Sequence, residues 1–149
     1  MMGATTHGKR DVWIEAGVVW AAAEGTLPDA AHRNLAQRAI TMAASAGPLS
    51  WRLLLDYRGA KLTADVQSLS RLAEQLSGLG LPAGTRMAIV CQQRSSDFAF
   101  WERVLRARGH EVSVFTDAEA ALSWLHRPNA EEVATADSAD TAVHRILKG

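Results

Sequence analysis

The sequence predicts an α/β fold: a mixed sheet with an N-terminal β-hairpin, three parallel-type strands and about four covering helices. Three observations carry that prediction. Two short runs rich in Val, Ile and Trp, residues 12–15 and 18–24, flank Ala16-Gly17. Three further apolar runs follow at 52–57 (RLLLDY), 86–91 (RMAIVC) and 111–115 (EVSVF). Between these runs lie longer segments whose apolar residues recur at helical spacing.

The first pair reads as a hairpin with a glycine in its tight turn. Gly25-Thr26-Leu27-Pro28-Asp29 then switches the chain to helix, with Thr26 as the expected cap and the proline tolerated in the first turn. That helix runs to about Ala46, stops at Gly47-Pro48, and carries Leu35, Ala39, Ile40 and Ala43 on one face. After the strand at 52–57, Thr63 is the expected cap of a helix with Val66, Leu69, Leu72, Ala73, Leu76 and Leu79 on one stripe. After the strand at 86–91, Ser95 or Ser96 caps a helix bearing Phe98, Trp101, Val104 and Leu105 and ending at Gly109. After the strand at 111–115, Thr116-Asp117-Ala118-Glu119 opens a last helix through Trp124-Leu125. Strands separated by helices of this length pair in parallel through right-handed crossovers. Residues 1–11 read as a tail and 12–127 as the domain. Residues 128–149 read as a linker with one further short helix around Val143, Ile146 and Leu147.

A chain of 149 residues is long enough to bury a core without a metal or disulfide staple. Sixteen basic and sixteen acidic residues cancel, which argues against a general nucleic-acid binder and against a polybasic membrane anchor. The single cysteine, Cys91, forms no intrachain disulfide and fits a reducing compartment. With no signal-like start and no membrane-spanning run, the expected location is the cytoplasm.

Catalytic and cofactor motifs do not emerge, and no cofactor or metal is expected. Gly78, Gly80 and Gly84 follow a helix and precede a strand, the reverse of a dinucleotide fingerprint. Asp56 ends an apolar strand as a receiver phosphoacceptor does. The acidic pair that would hold Mg²⁺ is missing, and Thr116-Asp117 stands where a receiver has lysine. The five histidines are scattered singly and read as solvated. Cys91 reads as a small core residue without a neighbouring base.

Open α/β sheets bind ligands beyond the carboxyl ends of their parallel strands, where loops and helix N-termini converge. That edge would gather Asp56 and Arg58 from one loop and Arg94, Ser95 and Ser96 from the next. Their charges and helix N-termini suit an anionic ligand or an acidic peptide. Phe98, Trp101 and Leu105 form the buried stripe of the adjoining helix, whereas Phe100 lies off it and, with Val104, faces a cavity or a partner. The candidate binding residues are therefore Asp56, Arg58, Arg94, Ser95, Ser96 and Phe100.

The order of these elements resembles the SpoIIAA-like (STAS/Sec14-like) family over roughly residues 12–127. The residues that carry the likeness are the hairpin, Gly25-Thr26-Leu27, the strand ending in Asp56, RMAIV, and VSVFTDAEAALSWL with Val114, Phe115, Asp117, Glu119, Ala121, Leu122, Trp124 and Leu125. The resemblance implies a STAS-like domain used for binding and regulation, and in some members a cavity for nonpolar small molecules. It places the Asp-Ser phosphorylation pair of anti-sigma-factor antagonists on Ala64-Asp65, neither of which accepts phosphate as serine does. The expected function is a non-catalytic regulatory or adaptor domain that binds a protein partner or a second copy of itself. The alternative is a carrier or sensor of a nonpolar or amphipathic small molecule.

Overall fold

The computed structural model describes residues 10–46 and 51–128. The chain opens with β1 (Arg10–Glu15) and β2 (Val18–Leu27), joined by a two-residue turn. Both turn residues take positive φ, 55° at Ala16 and 73° at Gly17, the geometry that matches a hairpin's twist. Helix α1 (Asp29–Ala46) follows, then β3 (Arg52–Leu62), α2 (Val66–Gln75), β4 (Arg86–Val90), α3 (Ser96–Ala107), β5 (Glu111–Phe115) and α4 (Ala118–His126).

The five strands form one sheet in the order β1-β2-β3-β4-β5. The first pair is antiparallel and every other pair is parallel, in the registers Leu54↔Ala88 and Ala88↔Ser113. The mixed sheet, its hairpin and its parallel strands are those the sequence predicts. Three strands, β1, β2 and β3, are longer than expected. Beyond Asp56, β3 continues to Leu62 beside a β2 that runs to Leu27, with a register shift between Ala22 and Glu24. Thr26 is therefore a strand residue opposite Lys61 rather than a helix cap. Strand β1 starts at Arg10, inside the 1–11 segment expected as a tail.

The parallel strands are apolar on both faces because both faces are covered. Helices α1, α2 and α3 pack on one side over a core that includes Leu35, Leu55, Leu69, Leu72, Ile89, Trp101 and Leu105. Among the described residues, helix α4 alone covers the other side, setting Ala121 and Leu125 on Val18, Trp20, Leu54, Ala88 and Val90. Trp13 stacks on Trp20 there, with ring centroids 5.4 Å apart. Arg86, nearly buried, pins the far end of α4. Its Nε donates to Glu111 at 2.9 Å, its Nη1 donates to the carbonyls of Trp124 and Arg127, and its guanidinium lies over the Trp124 ring.

Asp65, not Thr63, caps α2, accepting from the Ser68 N–H at 2.8 Å. Ser95 caps α3, and Asp117 caps α4 by accepting from the N–H groups of Glu119 and Ala120. Two histidines expected in solvent are buried instead, His32 on α1 and His110 before β5. The expected linker and short helix after Pro128 lie outside the described residues, as do His7 and His144.

Candidate functional site

The carboxyl ends of β3, β4 and β5 lead into α2, α3 and α4, so three helix N-termini open on one edge. Asp56 and Arg58 sit together where β3 leaves β4. The Arg58 guanidinium holds Asp56 with both carboxylate oxygens, Nε to Oδ1 at 2.9 Å and Nη2 to Oδ2 at 2.8 Å. The Arg58 backbone N–H adds a third bond. Burial works against the Asp56 carboxylate, but these bonds and the arginine charge outweigh it and hold its pKa below the usual range. Asp56 in turn raises the pKa of Arg58, to which the charge of Asp117 contributes. The pair is thus internally neutralised at this edge.

Arg94 turns away from that pair. Its Nη2 donates to the Val114 carbonyl at 2.8 Å, on the outer side of β5. Ser95 uses its hydroxyl as the cap of α3, and Ser96 is that helix's first residue. Cys91 is fully buried just past β4, and burial pushes its thiol pKa up, so a reactive thiolate is not favoured there.

Ser96 and Phe100 belong to a different feature. A groove of about 520 Å³ runs between the first turns of α2 and α3. Ala64, Asp65, Val66 and Leu69 line one side, and Ser96, Asp97, Phe100 and Arg103 the other. Phe100 is half-buried and rests on the main core, as does Val104. Val66 is 56% exposed, one of two large hydrophobic residues so exposed among the described residues. The sequence placed Val66 on the buried stripe of α2. At the first position after the cap it projects beyond the turn that Leu69 and Leu72 bury. That position was the available signal, since a residue in a first turn has no preceding turn to pack beneath. The two carboxylates, Asp65 and Asp97, give the groove mouth an acidic character beside the single cation of Arg103.

Six candidate residues therefore divide among three places. Asp56 pairs with Arg58, Arg94 joins Ser95 near the β5 side, and Ser96 joins Phe100 in the groove. Among the described residues no cluster of His, Cys, Asp or Glu could hold a metal ion. No helix among them is long and apolar enough to cross a membrane.

No protein-family model and no curated protein matches the chain. Solved structures do. An anti-sigma factor antagonist from Mycobacterium paratuberculosis superposes with a TM-score of 0.55 at 14% identity, over 80% of this chain and 95% of that one. An uncharacterized protein of the DUF3478 family from Shewanella loihica PV-4, described as having a SpoIIAA-like fold, superposes with a TM-score of 0.50 at 20% identity. That match covers 79% of this chain and 93% of the other. The chain has a SpoIIAA-like α/β fold.

Proposed function

We propose that this is a non-catalytic regulatory or adaptor domain that binds a protein partner through the groove between α2 and α3. The observation that carries the reading is the pairing of an exposed Val66 with a half-buried Phe100 across an open, acid-rimmed groove. Exposed apolar side chains framed by polar ones are what a protein interface needs before its partner arrives. The location supports the reading from a second direction. Ala64 and Asp65 line this groove, and they are the residues on which the STAS resemblance places the switch pair. The anti-sigma factor antagonist among the similar structures adds support for a regulator with a protein partner.

In this reading Phe100 and Ser96 contact the partner directly. Arg94 and Ser95 fix the start of α3, and the Asp56–Arg58 pair borders the neighbouring edge. Val66 and Phe100 supply the apolar contact, and Asp65 and Asp97 favour a partner segment carrying Lys or Arg beside its apolar residues. Asp65 acts through a fixed charge, with no modification needed.

Affinity capture from the cell of origin tests this, comparing wild type with Val66→Asp and Phe100→Ala and with a control, Glu119→Lys, on the opposite face. A protein retained by wild type and control and lost from both groove variants is the expected result. Retention by all four chains would overturn the reading.

A further inference from the structure

We propose that a cavity between α1, α3 and the central strands of the sheet is a binding site for one neutral, water-sized hydrogen-bond acceptor, water itself in solution, held by the Nδ1–H of His32. The inference is independent of the groove. The cavity has a volume of about 30 Å³. A single water needs roughly 10–15 Å³ measured in this way, so the space suits one small molecule and not an amphiphile. Most of its wall is apolar, with Leu35, Leu55 and Met87 contributing.

Three polar aromatic side chains break that wall: His32, Tyr57 and Trp101, exposed by 1%, 2% and 2%. The His32 ring packs on the indole with centroids 4.8 Å apart, and its Nε2 lies 2.8 Å from the Tyr57 hydroxyl. The other ring nitrogen, Nδ1, has no hydrogen-bond partner among the described residues. Buried polar atoms are rarely left in that condition.

The direction of the His32–Tyr57 bond follows from the neighbours. His32 Nε2 is the one hydrogen-bond partner of the Tyr57 hydroxyl among the described residues, and the Trp101 Nε1–H makes no bond to it. If the hydroxyl accepted from Nε2 instead, its own buried proton would have no acceptor, so it donates to His32 Nε2. Burial keeps both groups neutral, raising the Tyr57 pKa and lowering that of His32. A neutral imidazole that accepts at Nε2 carries its proton at Nδ1. The residues that line the cavity thus bring two unpartnered donors, Nδ1–H and the Trp101 Nε1–H, and no charge. That combination selects a neutral acceptor, because a bare ion would lose its hydration with nothing to replace it.

NMR on the whole protein at neutral pH tests both parts. Long-range ¹H–¹⁵N correlations should show His32 protonated at Nδ1 alone, and a water cross-peak should appear at Hδ1 or at the Trp101 indole proton. Tyr57→Phe, which keeps the ring and removes the donor, should mix the two His32 tautomers. Xenon should leave the Leu35, Leu55 and Met87 methyl shifts unchanged, since a hydrated cavity resists it. A bare Nδ1 in wild type, an unmixed tautomer in Tyr57→Phe, or xenon-induced methyl shifts without a water cross-peak would each overturn the proposal.

Discussion

His32 shows what one misplaced residue does to the energetics of the chain. Its imidazole is buried, and burial lowers its pKa to about 4 from the ordinary 6.5. Between those two values the unfolded chain binds a proton that the folded chain excludes. Stability therefore falls as pH drops from about 6.5 toward 4, by roughly 3 kcal/mol for a shift of this size, and levels off below. His110 moves in the same direction. Urea midpoints at pH 7 and pH 4.5 should differ clearly in wild type and much less in His32→Leu; equal slopes in the two proteins would contradict the assignment. The sequence hid this because a single histidine on an amphipathic helix looks the same whether it faces solvent or core. Only its neighbours, Tyr57 from β3 and Trp101 from α3, decide, and they are distant in the chain. Asp65 is the converse case, legible in type and misread in place. A carboxylate ahead of a helical stripe is a cap signal, but Thr63 offered the same chemistry two residues earlier. Asp65→Ala should strip hydrogen-exchange protection from the first turn of α2, whereas Thr63→Ala should leave it unchanged.

At the scale of elements, the two faces of the sheet differ in how much support they have. Among the described residues three helices share one face, and α4 holds the other with only its Ala121 and Leu125 buried. Leu125→Ala should cost about 2–5 kcal/mol, because it removes the larger of the two buried side chains by which α4 packs on the sheet. A loss under 1 kcal/mol in chemical denaturation would show that α4 is dispensable. The outer strand β5 is protected in another way. Residues of a parallel strand alternate in the side to which they bond. Glu111 and Phe115 bond back toward the β4 side, so the Val112 and Val114 carbonyls point outward. Arg106 Nε meets the first at 2.7 Å and Arg94 Nη2 the second at 2.8 Å. Unpaired strand edges recruit other strands, and covering their carbonyls blunts that tendency. Arg94→Ala combined with Arg106→Ala should raise self-association in sedimentation velocity while far-ultraviolet circular dichroism stays unchanged. A monomeric double variant would remove this role. Sequence reasoning saw Arg94 as a loop cation, since nothing in local spacing shows a side chain reaching across to another strand.

The whole molecule was the most legible scale. Hairpin, apolar runs and helical stripes each follow from local periodicity, and parallel pairing follows from the length of the crossovers. The lengths of β2 and β3 were not legible. Beyond Asp56 the residues Arg58, Gly59, Ala60 and Lys61 lack the apolar character of a buried strand, and Gly59, Ala60 and Lys61 pair with β2 but not with β4. The candidate site was legible in outline. Helix N-termini do converge at the strand ends, but the cations expected to meet a ligand are engaged within the fold, Arg58 on Asp56 and Arg94 on the Val114 carbonyl. The groove emerged only once α2 and α3 lay side by side and left Val66 outside. Its proposed role as a partner surface is the central claim. A photo-cross-linking amino acid placed at position 66, with a second chain carrying it at position 119 on α4, tests that claim in living cells of the source organism. The account predicts one discrete adduct from position 66 that Phe100→Ala abolishes, and none of that mass from position 119. The same adduct from both positions, or one from 66 that persists in Phe100→Ala, would contradict it.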